Sequence, residues 1–209
     1  MRSSRLAAIV LVHPAGGPPF RSTSRGLILA SHCLQFSKKL PIWRFRSAQN
    51  RGMHDSVFAE ILSEVSTFAK AAATLTDLQR FVVEIIPNRL PYYNWTGFYM
   101  LDHNDPEMLV LGPFHGAPTE HVRIPVNEGI CGAAVAQNDT VIVDDVASDP
   151  RYLACSFETR SEIVVPIRAH GAVVGEIDID SHDLAAFSTR DREFLEKCAA
   201  IVGSLMERT

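Results

Sequence analysis

Two cysteines and a set of carboxylates are the residues of this chain whose types and spacing offer chemistry. Cys155 stands in the polar run "CSFETRS", between the turn-forming "ASDPRYLA" and the apolar "SEIVVPI". A thiol on a loop is unusual for a residue type that mostly fills cores. Seven residues on, Glu162 sits at the start of that apolar strand. Further along, "GEIDIDS" alternates Glu176, Asp178 and Asp180 with Ile177 and Ile179. Residues at period two share one face of a strand, so the three acids project together. One reading is a solvated strand face with the isoleucines turned inward. The other is a pocket, where like charges raise a carboxyl pKa and let one group donate a proton. Glu162, from the neighbouring strand of the same hairpin, would complete an acid cluster suited to an ammonium ligand. Periodicity alone does not separate the two.

The chain holds four cysteines, and Cys33 lies in an N-terminal segment of different character. Cys198 falls on the apolar face of the last helix, where a thiol is buried and inert. Cys131 follows "NEGI" at the start of a short helix. A helix N-terminus lowers a thiol pKa and favours the thiolate. The alternative is a small buried residue in the closely packed "GICGAA", and both stay open. There is no CxxC and no Cys/His set with zinc spacing, so neither a structural metal nor a cofactor is expected.

These residues need elements to position them. "SVFAEILSEVSTFAKAA" spaces Val57, Phe58, Ile61, Leu62, Val65 and Phe68 by three and four, which predicts an amphipathic helix. "TLTDLQRFVVEII" predicts a second helix capped by Thr76 and ended by Pro87 and Pro91. The period then changes to that of strands in "NWTGFYML", "MLVLGPF", "VRIPV" and "TVIVDDV", with the "GICGAAVAQND" helix among them. "EIVVPIRAHGAVVGEIDID" reads as a hairpin about His170-Gly171. A last helix follows Ser188 or Thr189, with Phe194, Leu195, Cys198, Ile201, Val202 and Leu205 on its apolar face. The fold class is α+β: a central antiparallel sheet with helices packed mainly on one face. The connection over 146–161 has little structure of its own, and loops of that kind tend to be functional.

Composition bounds the rest. The 209 residues are 46% hydrophobic and 21% charged, as in ordinary globular proteins. No apolar run approaches the roughly 18–20 residues needed to span a bilayer. Met1–His54 carries seven Arg, two Lys and no acid, while the remainder is strongly acidic enough to bring the net charge to −4. An acidic body argues against nucleic-acid binding. Residues 1–52 read as a disordered extension, either an organelle transit peptide or the product of an over-long start upstream of Met53. Residues 53–209 read as the folded domain.

The blocks "NWTGFY", "LVLGPFHG", "VRIPVNEGICGAAVAQ", "SEIVVPI" and "GEIDIDS", with a loop cysteine after "DDV", run in an order and spacing that resembles the free methionine-(R)-sulfoxide reductases, which are single GAF domains. The resemblance covers roughly Ser56 to Glu207. It implies that Cys155 is the catalytic cysteine and Cys131 its resolving partner. It implies that Glu162, Asp178 and Asp180 hold the substrate ammonium and assist at the sulfoxide oxygen. Trp95 and Tyr99 would line the pocket for the methylsulfinyl end. Many members carry a third cysteine just before "VRIP", where this chain has His121.

The implied reaction is thiol-dependent reduction of free L-methionine-(R)-sulfoxide. It passes through a Cys155 sulfenic acid and a Cys131–Cys155 disulfide, which a thioredoxin-like dithiol reduces. A transient disulfide suits a reducing cytoplasm, with an organelle as the setting if residues 1–52 are a transit peptide. Neither nucleic acid nor membrane is an expected partner, and a homodimer is left open. The alternatives are a GAF sensor that binds a small molecule without chemistry, or a redox-sensing module built on Cys131 and Cys155. A sensor is usually fused to an output domain, for which the 155 residues from Asp55 leave no room.

Overall fold

A computed structural model of the chain describes residues 42–153 and 156–208, with side chains from His54 onward. Helix α1 spans Ile42–Ala71, beginning before the periodic stretch that predicts it. Helix α2 is Leu75–Arg89. The strands are β1 (Trp95–Asp102), β2 (Asp105–His115) and β3 (Arg123–Pro125). Helix α3 (Gly129–Gln137) and strand β4 (Val141–Val143) follow. The hairpin of β5 (Ser161–Ala169) and β6 (Ala172–Ser181) leads to α4 (Thr189–Met206). The six strands form one antiparallel sheet in the order β3-β2-β1-β6-β5-β4.

The sheet separates two apolar layers. Ile163, Val165, Ile167, Ile177, Ile179 and Phe98 face one way, onto α1, α2 and α4. Phe58 of α1 stacks on Phe194 of α4 with ring centroids 4.5 Å apart. Trp95, Tyr99, Leu109 and Val164 face the other way, onto α3 and the connections around it. The expected α+β arrangement, with helices mainly on one face, is the one observed.

Two helix boundaries differ from expectation. Thr74, not Thr76, caps α2: its hydroxyl accepts from the Asp77 N–H at 3.1 Å, and Asp77 Oδ2 accepts from the Thr74 N–H at 3.1 Å. The reciprocal box needs the acid three residues after the cap, which selects Thr74. Pro87 does not end the helix but lies in its last turn. There it removes one backbone bond, while buried Val82, Val83 and Ile86 hold the turn to the core. The β5–β6 turn falls where expected, with His170 and Gly171 at φ 51° and 78°. Two successive positive φ angles are what a two-residue hairpin turn requires. Among the described residues no helix is long and apolar enough to cross a membrane.

One buried carboxylate ties this frame together. Asp191, in the first turn of α4, accepts from the Tyr92 and Tyr93 hydroxyls at 2.6 and 2.9 Å. It also accepts from the Ser188 N–H at 2.8 Å and the Ser188 hydroxyl at 2.6 Å. Truncation would strand several buried donors at once. Asp191→Ala should therefore lower unfolding free energy by about 3 kcal/mol in urea titrations of the full chain. A loss under about 0.5 kcal/mol would show that these bonds are replaced without cost.

Candidate active site

The β5–β6 register sets the site. Glu162 pairs with Asp180, Val164 with Asp178, and Pro166 with Glu176. On the other side of β6, Trp95 pairs with Asp180, Gly97 with Asp178, and Tyr99 with Glu176. The carboxyls thus form a row along the sheet face that carries α3, with Glu162 joined at one end. The solvated-face reading is excluded: Glu176, Asp178, Asp180 and Glu162 are 0, 2, 3 and 5% exposed. Both faces of β6 are buried here, so the isoleucines and the acids each have a covered side.

Aromatic side chains bound the row. A methyl on Gly97 would lie 2.2 Å from Trp95 Cη2, so the indole folds across that glycine, beside the strand position opposite Asp178. Trp95 Nε1 donates to the Ala117 carbonyl at 3.0 Å and its ring stacks on Phe114. Tyr99 is fully buried, and its hydroxyl donates to the His121 carbonyl at 2.8 Å. Both aromatics implied by the resemblance are therefore neighbours of the acids.

Cys131 completes the cluster from α3. It is buried, and its thiol donates to Asp178 Oδ2 at 3.5 Å. Burial pushes its pKa well up, and the carboxylates of Asp178, Glu176 and Glu162 push the same way. The helix-terminus effect that would favour a thiolate is outweighed, because a buried thiol beside acids keeps its proton. Cys198 is buried too, and desolvation raises it to about 12. Cys33 and Cys155 lie outside the described residues. The chain on both sides of Cys155 is placed: Leu153 packs against Gly129 at the start of α3, and the Tyr152 hydroxyl donates to the Ser156 carbonyl at 3.2 Å. The ends of this connection are joined by a bond from the Val146 N–H to the Arg160 carbonyl at 3.0 Å.

The acids are electrostatically unsettled. Burial raises each of the four above the usual carboxylate range. Repulsion from Asp178, Asp180 and Glu176 adds to the rise at Glu162, and Asp178 adds to it at Asp180. Among the described residues no Lys or Arg forms an ion pair with any of them. Such a row is stabilised by holding protons or by binding a cation. Cys131, Glu162 and Asp178 offer ligand atoms within 4.8 Å of one another, so they are also the described residues that could grip a metal ion. Two members were not assigned from the sequence. Glu176 was visible in the period-two pattern but lay outside the matched acids. Thr159, a buried residue whose side chain lowers the Asp180 carboxyl against the rise from burial, sits in a connection that offers no periodic signal.

Residues 55–205 match the GAF domain family. Over 137 residues the chain is 36% identical to the free methionine-R-sulfoxide reductase of Escherichia coli, covering 66% of this chain and 78% of that one. The chain belongs to the GAF-domain family of free methionine-R-sulfoxide reductases. It is 44% identical over 110 residues to the free methionine-R-sulfoxide reductase of Saccharomyces cerevisiae, covering 52% of this chain and spanning 61% of the yeast protein. Among solved structures, this GAF domain is similar to the free methionine-R-sulfoxide reductase of Neisseria meningitidis in complex with its substrate. That likeness has a TM-score of 0.68 and 33% identity, over 72% of this chain and 88% of that one.

Proposed function

We propose that this chain reduces free L-methionine-(R)-sulfoxide to L-methionine in the cytoplasm, with a thioredoxin-like dithiol as reductant. The observation that carries the reading is the buried acid row, which lies beside Trp95 and Tyr99 and with which no Lys or Arg among the described residues forms an ion pair. A free amino acid supplies a positive charge to it through its ammonium. A methionine within a polypeptide has no such group to offer. Glu162, Asp178 and Asp180 hold the ammonium, and a carboxyl that keeps its proton faces the sulfoxide oxygen. Trp95 and Tyr99 bound the space for the methylsulfinyl end.

Cys155 attacks the sulfoxide sulfur while the carboxylic acid protonates its oxygen. The S–O bond of the substrate breaks, the oxygen ends on Cys155 as a sulfenic acid, and methionine leaves. Cys131 then displaces water from that sulfenic acid to form a disulfide, which the external dithiol reduces. The test is NADPH consumption with thioredoxin, thioredoxin reductase and free methionine-(R)-sulfoxide. No consumption above a substrate-free control, with no methionine formed, would reject the reading.

The role of Cys131 has its own test. Cys131→Ser should still release about one methionine per chain, because the first step needs only Cys155, and then stall with thioredoxin. Unimpaired thioredoxin-driven turnover would make Cys131 a packing residue.

A further inference from the structure

The resolving step contains a difficulty that the site itself answers. A thiol must lose its proton to attack, yet Cys131 is buried among carboxyls that disfavour its thiolate. Bulk water does not reach it. The step needs a base within the closed cluster.

Glu176 stands there without another task. It is fully buried, deepest in the acid row, opposite Tyr99 on β1 and Pro166 on β5. Neither of its carboxyl oxygens has a well-formed hydrogen bond among the described residues. Buried carboxyls are seldom left so, since each unmade bond costs stability. The polar group that acts on it is the Cys131 thiol, which bonds Asp178 on one side and bears on Glu176 on the other. The titratable groups facing Glu176 are Cys131 from α3, Asp178 from its own strand, Glu162 from β5 and Tyr99 from β1. Tyr99 directs its hydroxyl to the His121 carbonyl. Asp178 is among the residues assigned to the substrate ammonium.

We propose that Glu176 is the general base for Cys131 in disulfide formation, a catalytic residue distinct from the acids that read the substrate. The proton on Cys131 Sγ passes to the Glu176 carboxylate as the sulfur attacks the Cys155 sulfenic sulfur. The S–S bond forms, the S–O bond breaks, and the leaving hydroxyl takes a proton from one of the protonated acids and departs as water. Proton transfer from thiol to carboxylate keeps one negative charge in the cluster, so no further charge is buried. Burial raises the Glu176 carboxyl to about 8, which leaves it partly ionised near neutral pH, in the range where general bases work best. The inference rests on the sulfenic-acid reading of Cys155.

The test measures disulfide formation in the full chain after one turnover without reductant, by the loss of dimedone-reactive sulfenic acid. In a second arm the sulfenic acid is made with one equivalent of hydrogen peroxide, so the step is read even if sulfoxide is not reduced. Glu176→Gln, with its fold checked by circular dichroism, should slow disulfide formation about a hundredfold at pH 7. The wild-type rate should rise about tenfold per pH unit and level off near 8. The variant should stay slow and show no such rise through pH 8, since its amide takes no proton and bulk water does not reach Cys131. A merely structural role would lower the rate without removing the rise. Equal rates for the two proteins, parallel profiles, or no disulfide in either arm would overturn the proposal. A wild type that releases no methionine yet forms the disulfide with peroxide would reject the reductase reading and leave Glu176 decided by the second arm.

Discussion

Cys155→Ser should abolish methionine release, by at least about a thousandfold in a single turnover. Serine keeps the size of the side chain, but its hydroxyl is neither acidic nor soft enough to attack a sulfoxide sulfur. No other described thiol can substitute. Cys198 lies in the helical core on the far face of the sheet, with desolvation raising it to about 12. Cys131 is buried and holds its proton. Cys198→Ser is the matched control and should release methionine at the wild-type rate. Substantial release by Cys155→Ser would remove the nucleophile from the scheme.

The second large effect concerns charge. Asp180→Asn keeps shape and hydrogen-bonding capacity while removing a carboxylate from the end of the row where Glu162 and Trp95 flank it. Charge-assisted hydrogen bonds contribute roughly 1.5–3 kcal/mol each, so kcat/KM should fall about ten- to a hundredfold. Stability should not fall with it, because a buried carboxyl raised by desolvation and by Asp178 is itself costly. An unchanged kcat/KM with folding intact would show that Asp180 does not meet the ammonium.

Much of this arrangement was legible in the residues. The hairpin followed from His170-Gly171, and the shared face of Glu176, Asp178 and Asp180 followed from period two. Their burial did not follow, because Ile177 and Ile179 alternate with them and either set could face a core. In the fold both do, since β6 is central and covered on its two sides. Cys131 misleads for a related reason. Its place in the first turn of α3 suggests a low thiol pKa, but the local helix effect is small beside desolvation and three nearby acids. The Thr74 cap was readable from Asp77 three residues on, a signal that outranks the nearness of Thr76 to the apolar run. Glu176 carried no distinguishing mark in the sequence. What sets it apart is the unmet bonding of its oxygens beside a thiol from a separate element.

In the proposed function, buried carboxyls select a free amino acid by its ammonium. The direct measurement is kcat/KM of the wild-type chain for free methionine-(R)-sulfoxide and for its N-acetyl derivative, with methionine or N-acetylmethionine quantified by chromatography. Acetylation removes the cation and leaves the carboxyls unpaired in the closed site, so the derivative should be at least about a hundredfold poorer. Equal handling of the two would contradict the account, since the acid row would then have no part in choosing the substrate.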